Sequence, residues 1–359
     1  MNIPGKTIQE TADKVYTVMV SEHPEGSHQV QGVDVNPANW GLVINDWDWN
    51  PGVGMNCISA YYNACKRQDV LGYLMGWIQR NKHKARKFQH VNVMTPFAIF
   101  PEMYRRTEDP YFLNTAVEYA NWIVNNSLRT VTGAFQHGQG LEEEIWADTI
   151  FMVVLFLSRL ARQLTDADFA EEAAKQLLLH IQLLQDPDTG VLFHGYQCQE
   201  QSHMSAGRWT RGNAWITVAA PMIISEIHTL VDIPSEIEER YQRMVAGLVT
   251  YQAENGLWST IMDHPDFYQE SSGSAGIACG ILKAIRMGLI APSYYPVVEK
   301  AVAGLLEKIA PDGIVLGVSG GTPILDNVEK YNQLSCYPTM YGQGLTLMLL
   351  AEYMSYWNI

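Results

Sequence analysis

The residues of this chain that could carry chemistry fall in a few loop-like stretches. NDWDWNPG (45–52) holds Asp46, Trp47, Asp48 and Trp49. His137 lies in TGAFQHG (132–138), a few residues before LEEEIWADTIF (141–151), which carries Asp148. The richest, FHGYQCQEQSHMSAGRWTRGNAW (193–215), brings His194, His203, Arg208, Trp209, Arg211 and Trp215. Trp258, His264, Tyr268 and Glu270 follow, then Tyr337 and Tyr341. Aromatic rings stack on the apolar faces of sugars, while Arg, His and Asp bind hydroxyls and carboxylates, so the set points to carbohydrate.

Asp148 asks for an explanation, because the eight residues after 141–151, MVVLFLSR (152–159), are nearly all apolar. A buried carboxylate is costly unless paired or hydrogen-bonded. One reading places it in a first helical turn, where free N–H groups favour an anion; the other makes it a catalytic acid. The remaining residues also carry two readings. Trp209 and Trp215 either plug an interior or line a pocket. Arg211 either pairs with a loop acid or clamps a substrate carboxylate. His137 and His194 occupy equivalent places in FQHG and LFHG, which suits a repeated turn contact as well as a ligand. Glu142–Glu144 reads as a solvated loop face, and Glu270 as a cap on the helix after it.

Other chemistries are absent from the sequence. There is no HExxH, no CxxC and no zinc-ligand spacing, no Walker A, GxGxxG or GxSxG, and GVSGGTP (317–323) is a weak phosphate signal. A net charge of −14 argues against nucleic acid or anionic membrane as partner. Five scattered cysteines (57, 65, 198, 279, 336) suggest reduced thiols. The longest apolar run, 150–157, stops at Ser158 and Arg159, short of a membrane span, and the N-terminus lacks a signal-like core. A cytoplasmic protein is the expectation.

The elements that must position these residues are visible in the glycines. TGAFQHG, TGVLFHG, NGLWST and DGIVLG open with Gly133, Gly190, Gly256 and Gly313, spaced 57, 66 and 57 apart. Each reads as a turn before a short β-like run, then a loop, then a charge-poor helix. Helices poor in charge are expected at WADTIFMVVLFLSRLA, RGNAWITVAAPMIISEI, SSGSAGIACGILKAI and YGQGLTLMLLAEYM, with earlier ones at 51–64 and 92–106. Six amphipathic helices alternate with them, near 6–20, 68–82, 110–126, 166–184, 235–252 and 293–309. Six inner helices within six outer ones make an all-α (α/α)6 toroid, and repeats of about 60 residues fill 1–359 as one domain. The loops before the inner helices would gather at one end, around a pocket walled by helix N-termini.

IWADTIFMVVLFLSRL, RWTRGNAW, QESSGSAGIACGILKAIRMGLI and YGQGLTLMLLAEY together resemble glycoside hydrolase family 105, the unsaturated rhamnogalacturonyl hydrolases, over roughly 40–355. Family 88, the unsaturated glucuronyl hydrolases, is similar but less close. The resemblance implies an (α/α)6 barrel with no metal or organic cofactor, acting on a small unsaturated oligosaccharide. It implies hydration of the C4=C5 bond of a terminal unsaturated uronic acid, with an aspartate as acid and base. Asp148 matches that residue. His137, His194, Trp209, Arg211 and Trp215 fall where the family binds the uronic ring, and Trp49 matches an aromatic position. The family usually has a second Asp ahead of the second inner helix; here NVMTPF puts Asn92 there. An Asn hydrogen-bonds but cannot raise a neighbouring carboxyl's pKa by charge. The alternatives are a glucuronyl hydrolase acting on glycosaminoglycan fragments, a sugar epimerase using paired histidines, or a non-catalytic sugar-binding scaffold.

Overall fold

A computed structural model describes residues 3–23, 41–85 and 90–358. Twelve helices build two concentric rings. The outer ring is α1 (Gly5–Val20), α3 (Gln68–Asn81), α5 (Pro110–Asn126), α7 (Ala167–Leu184), α9 (Ser235–Thr250) and α11 (Tyr295–Leu306). The inner ring is α2 (Trp49–Cys65), a 3₁₀ stretch Val91–Ile99 running into α4 (Phe100–Thr107), a π-helical turn Ile150–Val154 running into α6 (Leu155–Leu164), α8 (Thr210–Ile227), α10 (Ser271–Met287) and α12 (Met340–Trp357). Each inner element packs on the next, α12 packs on α2, and α1 lies against α12, so the ring closes as an (α/α)6 toroid.

The sequence explains the assembly. Outer helices keep one apolar face: in α7, Phe169, Ala173, Leu177, Ile181 and Leu184 are buried, with Asp166 capping the first turn through Phe169 N–H at 3.0 Å. Inner helices α2, α8, α10 and α12 are poor in charge and buried along most of their length, because they are covered on nearly every side. Small residues let them approach: a Cβ on Gly280 would stand 2.1 Å from the Thr217 carbonyl oxygen of α8. The four repeat glycines all take positive φ, from 82° to 95°. Side chains at Gly190, Gly256 and Gly313 would collide with backbone carbonyls of Arg243, Lys300 and Lys14 on outer helices, the last joining the end of the chain to its beginning.

Two expected helices differ. The stretch expected at 92–106 begins as 3₁₀, because Pro96 removes an N–H from its middle. The helix expected from Trp146 begins only at Asp148, since Trp146 is taken by strand β1 (Glu144–Trp146), antiparallel to β2 (Gly195–Gln197). All five cysteines are free. Among the described residues no helix is long and apolar enough to cross a membrane.

Candidate active site

The loops that precede the inner helices gather at one end of the toroid, with Asp148 in the first turn of its helix there. The β1–β2 pair sets the local geometry. His137 N–H donates to the Glu144 carbonyl and Ala147 N–H to the His194 carbonyl, both at 3.0 Å, so the two histidines flank β1. Trp146 lies between them, stacked on His137 (4.3 Å between centroids, 5° between planes) and edge-on to His194 at 5.5 Å. The repeat-imposed equivalence of FQHG and LFHG is thus a turn contact that also brings the His194 ring to Asp148 and the His137 ring to the adjacent Thr149.

Rings continue around the mouth. His194 lies 4.2 Å from Trp209, Trp209 faces the Arg211 guanidinium at 4.4 Å, and the other face of that guanidinium meets Tyr341 at 4.6 Å. Tyr341 stacks on Trp49 at 4.8 Å. On the far side His90 meets His137 edge-on, also at 4.8 Å. The arc runs from Trp49 through Tyr341, Arg211, Trp209, His194, Trp146 and His137 to His90, with contributions from five of the six inner-helix loops.

Several polar atoms on this arc are buried without a hydrogen bond: Asp148 Oδ2, His194 Nε2, His90 Nδ1, Trp209 Nε1 and Arg211 Nε. Trp215 Nε1, one turn below Arg211, is another, with its ring packed on Phe151. Native interiors leave few such groups, so their concentration here makes this a candidate binding site. Asp148 keeps 14% of its side chain exposed, and its Oδ2 faces His194 Nε2 at 3.5 Å, beyond a well-formed hydrogen bond. Burial lowers the His194 pKa against the opposing pull of Asp148. Burial holds His137 well below the usual range, with His90 and His194 adding to it, while its Nδ1 meets Thr149 Oγ1 at 3.0 Å. His90 is lowered by burial too, opposed by Asp148. Burial thus favours neutral imidazoles along this arc.

Arg211 takes both roles foreseen for a loop arginine only in part. Its Nη1 donates to the Ser319 carbonyl (3.1 Å) and approaches Glu270 Oε1 (3.4 Å), and Nη2 donates to the Gly320 carbonyl (2.8 Å) and Thr322 Oγ1 (3.0 Å). Glu270 is fully buried and also accepts from Gly273 N–H at 2.5 Å, capping α10, and from Ser319 N–H at 3.0 Å. Both terminal nitrogens are therefore committed within the protein, and Nε is left. Arg208 is held by Asp186 and Asp263 at 2.7 and 2.6 Å. Asn92 is half-buried; its carbonyl accepts from Thr95 Oγ1 at 2.7 Å, and the adjacent Val91 N–H donates to the His137 carbonyl.

Two expected ring residues belong elsewhere. Trp47 is core, stacked on Trp77 at 5.5 Å, and Trp258 is core with its N–H on the Leu248 carbonyl. The Glu142–Glu144 run is solvated only at Glu142; Glu143 accepts from Val131 N–H and Glu144 from Trp146 Nε1. Sequence reasoning passed over His90, Trp146 and Tyr331. Trp146 was findable as the immediate neighbour of Ala147 and Asp148. Tyr331, whose hydroxyl is 2.8 Å from His194 Nδ1, is 137 positions away and carries no local signal. Among the described residues no group of three or more His, Cys, Asp or Glu could hold a metal ion.

Comparison with known proteins bears on the family and the fold. The model for Glycosyl Hydrolase Family 88 matches residues 28–357. The chain is 31% identical over 315 residues to the unsaturated rhamnogalacturonyl hydrolase YesR of Bacillus subtilis, covering 85% of this chain and 89% of that one. A possible family 105 member from Salmonella enterica superposes with a TM-score of 0.91 at 30% identity, covering 99% and 96% of the two chains. An unsaturated glucuronyl hydrolase from Bacillus sp. GL1 shares the fold, with a TM-score of 0.73 at 16% identity over 97% and 96% of the chains. A family match spanning nearly all of the toroid, with a relative alike over most of both lengths, leads to one statement: the chain belongs to glycosyl hydrolase family 88.

Proposed function

We propose that this hydrolase removes a terminal 4,5-unsaturated galacturonyl residue from rhamnogalacturonan-derived disaccharides or oligosaccharides. The observation that carries the reading is the Asp148 carboxylate, one oxygen without a hydrogen bond, facing into an arc of aromatic and imidazole rings. Such rings offer flat apolar faces to a sugar, and inner-helix N-termini favour the substrate's carboxylate. The similarity to YesR supports the substrate class.

In this mechanism protonated Asp148 delivers its proton to C4. The C4=C5 electrons form the new C–H bond, and positive charge is left on C5 and the ring oxygen. Water then adds at C5 and returns a proton to the Asp148 carboxylate, which regenerates the acid. The hemiketal so formed opens and releases the neighbouring sugar. One carboxyl serves both proton transfers, which suits a chain with Asn92 where a second acid would stand. His137, His194, Trp209, Trp215 and Trp49 orient the ring, and Arg211 contributes through Nε. No cofactor is required, and the 359 residues act as one catalytic domain in the cytoplasm, clearing fragments of pectin. The partner is the oligosaccharide itself, not nucleic acid or membrane.

The test follows the ultraviolet absorbance of the uronyl double bond during incubation with a lyase digest of rhamnogalacturonan, with a chondroitin digest in parallel. Loss of absorbance on the pectic digest is expected. Loss on the chondroitin digest alone would transfer the assignment to the glucuronyl reaction, and loss on neither would remove it.

A further inference from the structure

His194 touches Asp148 with one nitrogen and a residue from the far end of the chain with the other. Its Nδ1 lies 2.8 Å from the hydroxyl of Tyr331, on the short helical turn Val328–Asn332. That turn belongs to the segment before α12, which crosses to the fourth and fifth loops. There Tyr331 is fully buried in a small separate core with Trp209, Ile261 and Phe267. The crossing is fastened at several points: Tyr268 O–H donates to the Tyr331 carbonyl and Tyr268 N–H to Asn332 Oδ1, while a Cβ on Gly195 would strike Ile324. The phenol ring is therefore placed by packing, edge-on to the His194 ring at 5.8 Å, with its hydroxyl on Nδ1.

The hydrogen-bond inventory around that hydroxyl leaves two arrangements, the phenol donating to His194 Nδ1, or accepting from Nδ1–H and donating to Ser205 Oγ; the first also turns an N–H toward Asp148 Oδ2. Leu325 N–H points at it from 3.3 Å and takes one lone pair. Its own proton then has two acceptors, His194 Nδ1 at 2.8 Å or Ser205 Oγ at 3.3 Å, and the shorter contact is to the imidazole. A neutral imidazole that accepts at Nδ1 carries its proton at Nε2, and Nε2 is the atom 3.5 Å from Asp148 Oδ2.

We propose that Tyr331 is a positioning residue: it fixes His194 as the Nε2–H tautomer, so that this N–H is aimed at Asp148 and receives the carboxylate each time it is formed. The proposal rests on the reading of Asp148 as the proton-transfer group. Burial pushes the Tyr331 phenol up to about 12, so it keeps its proton through the neutral range.

The experiment is a double-mutant cycle on the full chain with the pectic digest. Tyr331→Phe is expected to lower kcat about tenfold with KM little changed, the scale of losing one hydrogen bond at the reacting group. His194→Gln removes the tautomer choice while keeping an N–H donor, and in that background Tyr331→Phe should cost nothing further. An equal loss in both backgrounds, or no loss in the native one, overturns the proposal. A second measurement needs no Tyr331 variant: ¹⁵N shifts of histidine-labelled protein, with His194 assigned by its absence from the His194→Gln spectrum. Nε2 protonation is expected, and Nδ1 protonation overturns the proposal. Asp148→Asn, run alongside, separates the two levels. If it stays active the Asp148 reading fails, whereas if it is dead and the cycle is additive only the Tyr331 inference fails.

Discussion

The two ends of the toroid are both polar, yet they treat polarity in opposite ways. At the end where the inner helices finish, a cavity of about 340 Å³ is lined by Glu102, Arg105, Arg159, Glu226, Lys283, Arg286 and Glu352. Each of these has a protein partner. Glu102 is held by Arg105 and Arg106, Glu226 by Arg162, and Glu352 by Lys283 and Arg286; Arg159 donates to Asn56 and the Ala98 carbonyl. Cations there also offset the negative ends of the helix dipoles. At the end where the inner helices start, Asp148, His194, His90, Trp209 and Arg211 each keep a buried polar atom without a hydrogen bond. At the floor one such atom, Glu352 Oε1, also lacks a well-formed hydrogen bond, but it faces the Arg286 guanidinium at 3.0 Å; at the mouth five gather around one carboxyl. A cluster of unsatisfied groups, rather than charge or cavity size, is what distinguishes the candidate site from the floor.

The sharpest way to break this contrast is Asp148→Asn. It should cost roughly 10³-fold in kcat, within the usual 10²–10⁴ contribution of a general acid–base, measured by loss of uronyl absorbance. The melting temperature should hold or rise, because Asp148 Oδ2 makes no hydrogen bond that the amide would lose. A fall of several degrees would mean that Asp148 is structural. Glu270→Ala attacks the fully buried charge pair at the loop end. It leaves the Arg211 guanidinium fully buried beside Trp209 and Tyr341. Loss of one partner of a buried pair costs about 3–5 kcal/mol, to be read from the denaturant midpoint. A change under about 1 kcal/mol would show that Ser319, Gly320 and Thr322 hold Arg211 without it.

This contrast also sets how much could be read from sequence. The twelve helices were legible because periodicity and glycine spacing are local, and the boundaries of α2, α3, α5 and α7 fall within two residues of expectation. Asp148, His137 and His194 were legible because a carboxylate before MVVLFLSR and a histidine repeated in two turns are local anomalies. Trp47 and Trp258 were misjudged because loop position says nothing of burial: one stacks on Trp77 and the other donates to Leu248. The Arg211–Glu270–Ser319 contacts and the reach of Tyr331 to His194 arise only when distant repeats meet. No window of sequence holds both partners.

The loop end should also be the acid-sensitive end. His180 of α7 is fully buried, and burial lowers its pKa from 6.5 to about 4. A histidine whose folded pKa is depressed binds fewer protons than the unfolded chain below pH 6.5. The stability it contributes is thus present above that pH and lost as the pH falls toward 4. A shift of that size corresponds to about 3 kcal/mol for His180 alone, and His90, His137 and His194, also lowered by burial, act in the same direction. Denaturant unfolding at pH 7.0, 5.5 and 4.5 should show this decline, and His180→Gln should flatten it. A slope unchanged by that variant would place the acid sensitivity elsewhere.

The smallest effect should come from the other end. Lys283→Met removes one of the two cations on Glu352 and keeps most of the side-chain volume. Arg286 still stands 3.0 Å from Glu352 Oε1, so the carboxylate is not abandoned. A charged hydrogen bond is worth about 1.5–3 kcal/mol, and the retained cation offsets part of its loss. A stability change of about 1 kcal/mol is therefore expected, with kcat and KM on the pectic digest unchanged. Lys283 lies toward the C-terminal end of α10, whereas Glu270, beside Arg211, caps the start of the same helix. If Lys283→Met lowered kcat as well, the floor would be coupled to the mouth through α10. The division between a completed end and a working end would then be wrong, because the ion pairs of the floor would be setting the geometry of the arc above them.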